Sequence, residues 1–351
     1  MNNAQSKWAV WRPPGATRFR HRNVRDIMRY RSRKPVTNSL VTRLSVGGVY
    51  AMMVIGISQS ASATEGGLGR PLTGMQIAPY AGIVPPTDDW IVSVTSIYYE
   101  GSLGASKTIP IAGTVTAGLD YHVSYNLVNA VKTWGITVGG WNFASSFGVP
   151  VQYTDVSSFH GRLPDDHATQ FADLFFTPVV AGYHLTKTDH VALSVQIYAP
   201  TGAYNTNNLA NAGQNTWTFT PTVAYTKLLP KQDIELSVNY GVEFYTTNNK
   251  TQYHNAPLSV LDLLALKRFQ GGWGVGVVGG WIQQLGEDTG GLANITGGNT
   301  GHSIGIGPMV TWAGKVSKTP VSASLRWVNE FDVRDRPKGN AVQLSVSATF
   351  Q

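Results

Sequence analysis

The chain has 351 residues, among them 27 Lys and Arg, 20 Asp and Glu, 38 Gly and no Cys. The absence of Cys excludes disulfide scaffolds, zinc–thiolate sites and thiol catalysis. Eleven of the basic residues but only one acidic residue lie in residues 1–43, which leaves 16 basic and 19 acidic residues from Thr64 onward. The body of the chain is therefore mildly acidic, which excludes a nucleic-acid-binding protein.

Residues 1–63 have the features of a secretory signal peptide with a long basic n-region. The apolar stretch Leu44–Ile57 follows the basic residues, and Ala61-Ser62-Ala63 matches the small-residue pattern of a cleavage site. This stretch is too short to span a bilayer, and no later apolar run reaches the roughly 18 residues that a spanning helix needs. We expect cleavage after Ala63 and export of the mature chain, with Met28 as an alternative start.

Residues 64–89 are rich in Gly and Pro, which disfavour both helix and strand. Two interpretations of this segment stay open. It forms a plug or gate inside the domain that follows, or it is a disordered tail, as free termini commonly are.

From Trp90 onward, apolar and polar residues alternate with period two, which is typical of β-strands. In the last strand Val342, Leu344 and Val346 alternate with Gln343 and Ser345. Residues 257–269 alternate poorly and are also compatible with a helix. The pattern predicts twelve strands, at 90–99, 114–128, 136–151, 171–184, 189–198, 214–228, 233–245, 257–269, 273–285, 302–313, 319–331 and 340–350.

A soluble sandwich or lipocalin-like barrel shows the same alternation. The predicted strands, however, run about 10–14 residues, which is longer than soluble strands and long enough to cross a membrane when tilted. Short connections alternate with long ones, as outer-membrane barrels require. The long connections are predicted near 100–113, 152–170, 199–213, 246–257, 286–301 and 332–339.

Large aromatic residues fall near the strand ends. Trp273 and Trp281 share one strand face and lie about 26 Å apart along the strand, or about 20 Å across a tilted barrel wall. That spacing matches the two aromatic girdles of a membrane barrel. The predicted fold is therefore an all-β, transmembrane antiparallel up-and-down β-barrel of about 12 strands, over residues 90–351, in a bacterial outer membrane.

Polar and charged residues on the polar strand faces are the candidate functional residues. Because a lipid-facing Arg at the midplane costs about 2–4 kcal/mol, such side chains are expected to point into the lumen. They either pack the lumen through mutual salt bridges or form a lining that hydrates or selects solutes. The predicted lumen-lining or solute-pathway residues are Asp120, His122, Asp173, Phe175, Gln196, Tyr198, Glu235, Asn239, Glu243, Arg326 and Glu330.

Three motifs in the sequence resemble chemical sites. Gly274–Gly279 matches GxGxxG, but its glycines lie inside a predicted strand with no helix after it. The segment His160–His167 holds two His and two Asp without a recognised ligand spacing, which favours a solvated loop over a metal site. His122 and Ser124 share a strand face, but this spacing alone does not make a catalytic dyad. We expect no catalytic residue, no metal and no cofactor, and hence not an enzyme.

The chain resembles the "meta-pathway of phenol degradation" family of outer-membrane proteins in several stretches. The similarity covers most of residues 90–350 in order. The stretches are Asp173–Pro178, Tyr198–Tyr204, Asn211–Trp217, Gly276–Trp281, Gln284–Asp288, Gly307-Pro308, Asn329–Phe331 and Arg336–Gly339. One departure is that Phe350 is penultimate and Gln351 last, where the family usually ends on an aromatic residue that the barrel assembly machinery reads.

The resemblance implies a barrel that moves aromatic or other hydrophobic compounds. The predicted function is an outer-membrane channel for passive uptake of small hydrophobic, phenol-type compounds. An outer-membrane lipid hydrolase and a structural or adhesive barrel are the alternatives. The expected partners are outer-membrane lipid, small hydrophobic or aromatic solutes and the barrel assembly machinery, with no nucleic acid. The oligomeric state is left open.

Overall fold

The computed structural model describes residues 65–161, 163–296 and 300–351. The predicted signal peptide, residues 1–63, lies outside the described residues. Within them, a 3₁₀ turn spans Gln270–Gly272 and a short helix, α1, spans Ala293–Thr296. No helix in the described part of the chain is long and apolar enough to cross a membrane. The strands are β1 (Trp90–Ile111), β2 (Thr114–Val138), β3 (Trp141–His160), β4 (Asp166–Phe171), β5 (Phe175–His184), β6 (Asp189–Tyr198), β7 (Thr218–Leu229), β8 (Ile234–Tyr245), β9 (Tyr253–His254), β10 (Leu258–Arg268), β11 (Trp273–Gln284), β12 (Thr289–Gly290), β13 (His302–Val316), β14 (Thr319–Arg334) and β15 (Lys338–Phe350).

The long strands form one closed antiparallel barrel, in which each strand pairs with the long strands before and after it in the chain. β1 closes the barrel, because Trp90 lies opposite Lys132 on β2 and opposite Phe350 on β15. The short strand β4 pairs with the far end of β3, and β9 and β12 form a separate small sheet. The predicted twelve-stranded all-β barrel is confirmed. The ambiguous segment 257–269 is strand β10, and Gly274–Gly279 lies inside β11.

Three of the predicted long loops are wrong. Residues 100–113, 152–170 and 332–339 belong mostly to strands, because several strands project further than expected and β4 lies within 152–170. β1 and β2 pair as far as Ile111 and Thr114, and only Ala112 and Gly113 join them. Both turn residues have positive φ (49° and 76°), as in the type I′ turns that suit hairpins. Glycine and proline at positions 101, 104 and 110 interrupt the alternation there, which is why the sequence pattern indicated a loop.

The outer surface of the barrel is apolar and aromatic. Along β11 the outward residues are Trp273, Val275, Val277 and Trp281, each about half exposed. On β15 Val342, Leu344 and Val346 are exposed, whereas the intervening Gln343 is buried in the lumen. Other large aromatic residues, among them Trp217, Trp327 and Phe350, are also exposed. This is the surface that a lipid bilayer accepts.

Residues 65–89, here called the inner segment, run through the barrel from one end to the other. At the end with the long loops, the Glu65 backbone N–H donates to the Asn255 side chain (2.8 Å). At the end with the short turns, the Asp89 N–H donates to Thr133 Oγ1 (2.9 Å), and Asp88 pairs with Lys132 (2.5 Å).

The hydrophobic core lies between the inner segment and the barrel wall. Met75 and Ile77 pack in one cluster with side chains from the wall, including Leu264 and Val328. Val84 packs against small wall residues in a second cluster. Burying a side chain of this size contributes about 1.5–3 kcal/mol, so the inner segment adds to the stability of the barrel.

Candidate channel lumen

The inner segment begins at a polar site between the long loops. The Glu65 carboxylate accepts hydrogen bonds from Asn248 Nδ2 (2.8 Å), Thr251 Oγ1 (3.1 Å) and Tyr204 Oη (3.3 Å). Burial nevertheless raises the pKa of Glu65 above its ordinary value of 4.5, since desolvation outweighs these hydrogen bonds. The start of the inner segment is thus held by a carboxylate that binds its proton more tightly than a solvated one.

Arg70 anchors the inner segment to the wall through its whole guanidinium group. Its Nη1 pairs with Asp173 (2.9 Å), and both side chains are almost fully buried. Its Nε donates to Thr218 Oγ1 (2.6 Å) and its Nη2 to the Thr216 carbonyl (2.9 Å). The guanidinium also lies over the Tyr198 ring, 4.6 Å from its centre. Two predicted lumen residues, Asp173 and Tyr198, therefore contact the same cation.

The middle of the inner segment is held by wall carboxylates. Asp262 accepts the backbone N–H groups of Gly74 (3.1 Å) and Gln76 (2.7 Å). Thr73 donates to Glu330 (2.6 Å), which was predicted to face the lumen. A carboxylate that accepts several hydrogen bonds replaces the water it loses on burial, so these buried groups are satisfied.

Two arginines also hold the inner segment, by donating hydrogen bonds to its backbone carbonyls. Arg326 Nη1 donates to the Gly74 carbonyl (3.0 Å), while Arg336 Nη2 donates to the carbonyls of Leu68 (2.6 Å) and Pro71 (3.2 Å). Arg326 was predicted as a lumen residue and Arg336 was not.

Towards the short turns the inner segment follows the wall closely. The Tyr80 N–H donates to Glu235 (2.5 Å), and Glu235 also forms an ion pair with Arg268. The Gly82 N–H donates to Thr226 Oγ1 (2.9 Å). A Cβ on Gly82 would lie 2.6 Å from the Thr226 backbone nitrogen, so only glycine fits there.

Four further predicted lumen residues, Phe175, Gln196, Asn239 and Glu243, lie beside the inner segment. Gln196, Asn239 and Glu243 line a polar cavity of about 140 Å³ together with Tyr198. The Phe175 ring is buried against the Tyr198 ring, with 5.5 Å between their centres. These side chains face inward as predicted.

Asp120 and His122 lie on the outward face of β2, so their predicted lumen position is wrong. Tyr121 and Val123 point inward in their place and are buried. Tyr121 Oη donates to the Gly66 carbonyl. Because the inner segment fills the lumen at this level, the inward face is apolar like a soluble core and the polar face turns outward.

The hydrolase alternative rested on His122 and Ser124, and the two side chains have different partners. His122 Nδ1 lies 3.4 Å from Tyr98 Oη, whereas Ser124 Oγ accepts a hydrogen bond from Asn126 Nδ2 (3.2 Å). A nucleophile needs its base within hydrogen-bond reach, so this pair lacks the arrangement of a catalytic dyad.

The sequence interpretation missed several residues that hold the inner segment, chiefly Arg70, Asp262 and Arg336. A usable signal existed for Asp262, because an isolated carboxylate between leucines of a membrane strand has to face inward. Of the two interpretations of the lumen charges, neither describes the arrangement fully. Glu235 and Arg268 do pair across the wall, but most of the lumen charges bind the inner segment.

A closed barrel with an apolar exterior and a polar, filled lumen defines the class of bacterial outer-membrane barrels. The sequence profile described as "Putative MetA-pathway of phenol degradation" matches residues 105–346. The chain belongs to this family. No curated protein matches it significantly.

Among solved structures, the chain is similar to the COG4313 outer membrane channel from Pseudomonas putida F1. The two share 17% identity with a TM-score of 0.64, over 78% of this chain and 100% of that one. The beta domain of the Bordetella autotransporter BrkA is similar at 13% identity and a TM-score of 0.46, over 75% of this chain and 100% of that one. The first of these similarities supports the fold.

Proposed function

We propose that this protein is an outer-membrane channel for passive uptake of small hydrophobic, phenol-type compounds, and that the inner segment is its gate. The observation that carries the proposal is the mode of attachment of the inner segment. It occupies the lumen from end to end, yet it contains no regular strand or helix and is held by separate polar contacts at Arg70, Gly74 and Tyr80. Family membership, under a description that names phenol degradation, supports the choice of solute.

Passage through the lumen requires part of the inner segment to move. A cavity of about 120 Å³ lies beside the half of the inner segment nearest the long loops, and one of about 350 Å³ lies beside the half nearest the short turns. Local displacement of the inner segment would join these two cavities. Mixed apolar and polar walls suit compounds with a ring and a hydroxyl group, since aromatic side chains such as Tyr198 stack on rings.

The gate is tested by removing residues 66–86 and measuring single-channel conductance in planar bilayers. We expect conductance to rise several-fold over the full mature chain, because the lumen then fills with water. The heat-dependent gel mobility of folded barrels shows whether the shortened chain folds. If it does not, an Arg70→Gln, Asp262→Asn double variant, which weakens two anchors, replaces it. Unchanged conductance in a folded variant would rule out the gate.

The solute is tested in a strain that lacks the gene. We expect slower growth on low concentrations of phenol or toluene and normal growth on succinate, with recovery when the full chain is restored. A strain that grows equally on all of these carbon sources would contradict the uptake of phenol-type compounds but not the gate.

A further inference from the structure

A cavity of about 350 Å³ lies in the lumen on the short-turn side, between residues 75–80 of the inner segment and strands β1, β2, β13, β14 and β15. It reaches close to the barrel end, since Ser347 lines it and β15 ends at Phe350. Its walls are rich in hydroxyl and amide groups, including Ser93, Thr95 and Gln343. A cavity of this size falls in the range of small-molecule sites.

The charges that line this cavity are of one sign. Its lining includes Arg268 and Arg326 but no Asp or Glu. Arg268 is neutralised by its ion pair with Glu235. Asp262 offsets part of the charge of Arg326, but its carboxylate accepts the N–H groups of Gly74 and Gln76 and forms no ion pair with Arg326 among the described residues. The guanidinium of Arg326 is therefore the group on this wall with capacity to bind an anion.

Arg326 is 4% exposed, and its Nε has no hydrogen-bond partner among the described residues. Two other buried atoms on the same cavity wall, Thr311 Oγ1 and Asn129 Oδ1, also have none. A buried polar group without a partner costs about 1–3 kcal/mol. Arg326 Nε and Thr311 Oγ1 can both donate to a bound anion, whereas Asn129 Oδ1 is an acceptor and needs a donor such as water. An anion that accepts from Arg326 would form the stronger, charge-assisted type of hydrogen bond.

The remaining wall is apolar. Met75 and Ile77 of the inner segment face the cavity, and Leu127 of β2 lines it from the other side. A fully hydrated inorganic anion would gain nothing from this wall. A carboxylate attached to a ring or a short hydrocarbon chain satisfies both sides. A cavity of about 150 Å³ already holds a benzene ring, so one ring with its carboxylate and some water fits.

We propose that this cavity is a binding site for small organic monocarboxylates, with Arg326 as the residue that binds the carboxylate and Thr311 as a second hydrogen-bond donor. The site goes beyond the proposed channel activity, because a carboxylate can bind there whether or not the lumen conducts. It would give the protein a second class of ligand, in which the charge and not only the ring is recognised.

Calorimetric titration of the purified mature chain in detergent micelles tests the site, with sodium benzoate as the probe. We expect saturable binding of one benzoate per chain, at least tenfold tighter than that of the neutral benzyl alcohol. Arg326→Gln should weaken benzoate binding at least tenfold and leave the two probes nearly equal. Arg334→Gln removes an exposed arginine from the same strand and should change nothing.

Arg326→Gln also loses a contact to the inner segment, so a second variant separates binding from folding. Thr311→Val keeps the charge of Arg326 and removes a hydroxyl group that forms no hydrogen bond to the inner segment. We expect this variant to bind benzoate about threefold more weakly. The proposal is overturned if the wild-type chain shows no saturable benzoate binding, if benzyl alcohol binds equally well, or if folded Arg326→Gln and Thr311→Val bind benzoate like the wild type. Since no current is measured, these outcomes are independent of the conductance test of the gate.

Discussion

Asp262 shows what a single residue decides in this barrel. It lies in the middle of the leucine-rich strand β10 and has no exposed surface. Its carboxylate accepts the N–H groups of Gly74 and Gln76, so it fixes the centre of the inner segment against the wall. The same leucines that blurred the alternation of residues 257–269 face both lipid and core, because at this level the lumen is apolar too.

Asp262→Asn keeps the shape of this side chain but turns one acceptor into a donor. We expect the stability of the folded barrel to fall by about 1–3 kcal/mol, because at least one buried N–H loses its acceptor. Urea unfolding followed by tryptophan fluorescence measures the change. Asp332→Asn, at an exposed position on β14 beside His302, is the matched control and should change the stability by less than about 1 kcal/mol, as exposed pairs do. A loss of the same size in both variants would contradict the anchoring role of Asp262.

At the level of strands, period-two alternation was sufficient to place all the barrel strands, since lipid on one side and a polar lumen on the other impose it. The alternation did not identify the inward face where the lumen is apolar. In β2, Tyr121 and Val123 face an apolar lumen while Asp120 and His122 face outward. A strand pattern records which residues share a face, but it does not say which face is inside. That depends on what fills the lumen, which was not known from the strand itself.

Strand β11 offers a direct test of the membrane boundary. Val277 points outward, four residues from Trp273 and four from Trp281, which places it near the middle of the apolar band. Val277→Arg should therefore destabilise the barrel by about 2–4 kcal/mol in lipid vesicles, as charged residues do at the midplane. Urea titration in vesicles measures this loss. Asn249→Arg, in an exposed loop, should cost less than about 1 kcal/mol, and equal costs would place Val277 outside the band.

At the level of the whole molecule, the barrel is built around its own N-terminal segment. The sequence pattern could state the choice between a plug and a tail for residues 64–89 but could not decide it. The contacts that hold the inner segment join residues far apart in the chain, such as Arg70 with Thr218 and Thr73 with Glu330. The composition of residues 64–89 does not indicate such long-range pairs. The one indication in the sequence was the large number of charged residues predicted to face the lumen, which need polar partners there.

This architecture makes the attachment of the inner segment depend on pH at its outer end. Burial raises the pKa of Glu65 above 4.5, so the attached state binds a proton more tightly than the released state. Attachment is therefore strongest below pH 4.5 and weakens as the pH rises through the window between 4.5 and the raised value.

Amide hydrogen exchange over residues 66–68 measures this effect, because the Gly66 N–H is bonded to the Pro110 carbonyl only while the segment is attached. After correction for the intrinsic rate, we expect protection to fall as the pH rises from 4 to 7 in the wild type. Glu65→Gln cannot ionise and should show constant protection over the same range. An equal fall in both proteins would assign the pH dependence to a group other than Glu65. A constant protection in the wild type would mean that the hydrogen bonds from Asn248 and Thr251 outweigh the cost of burying the charge.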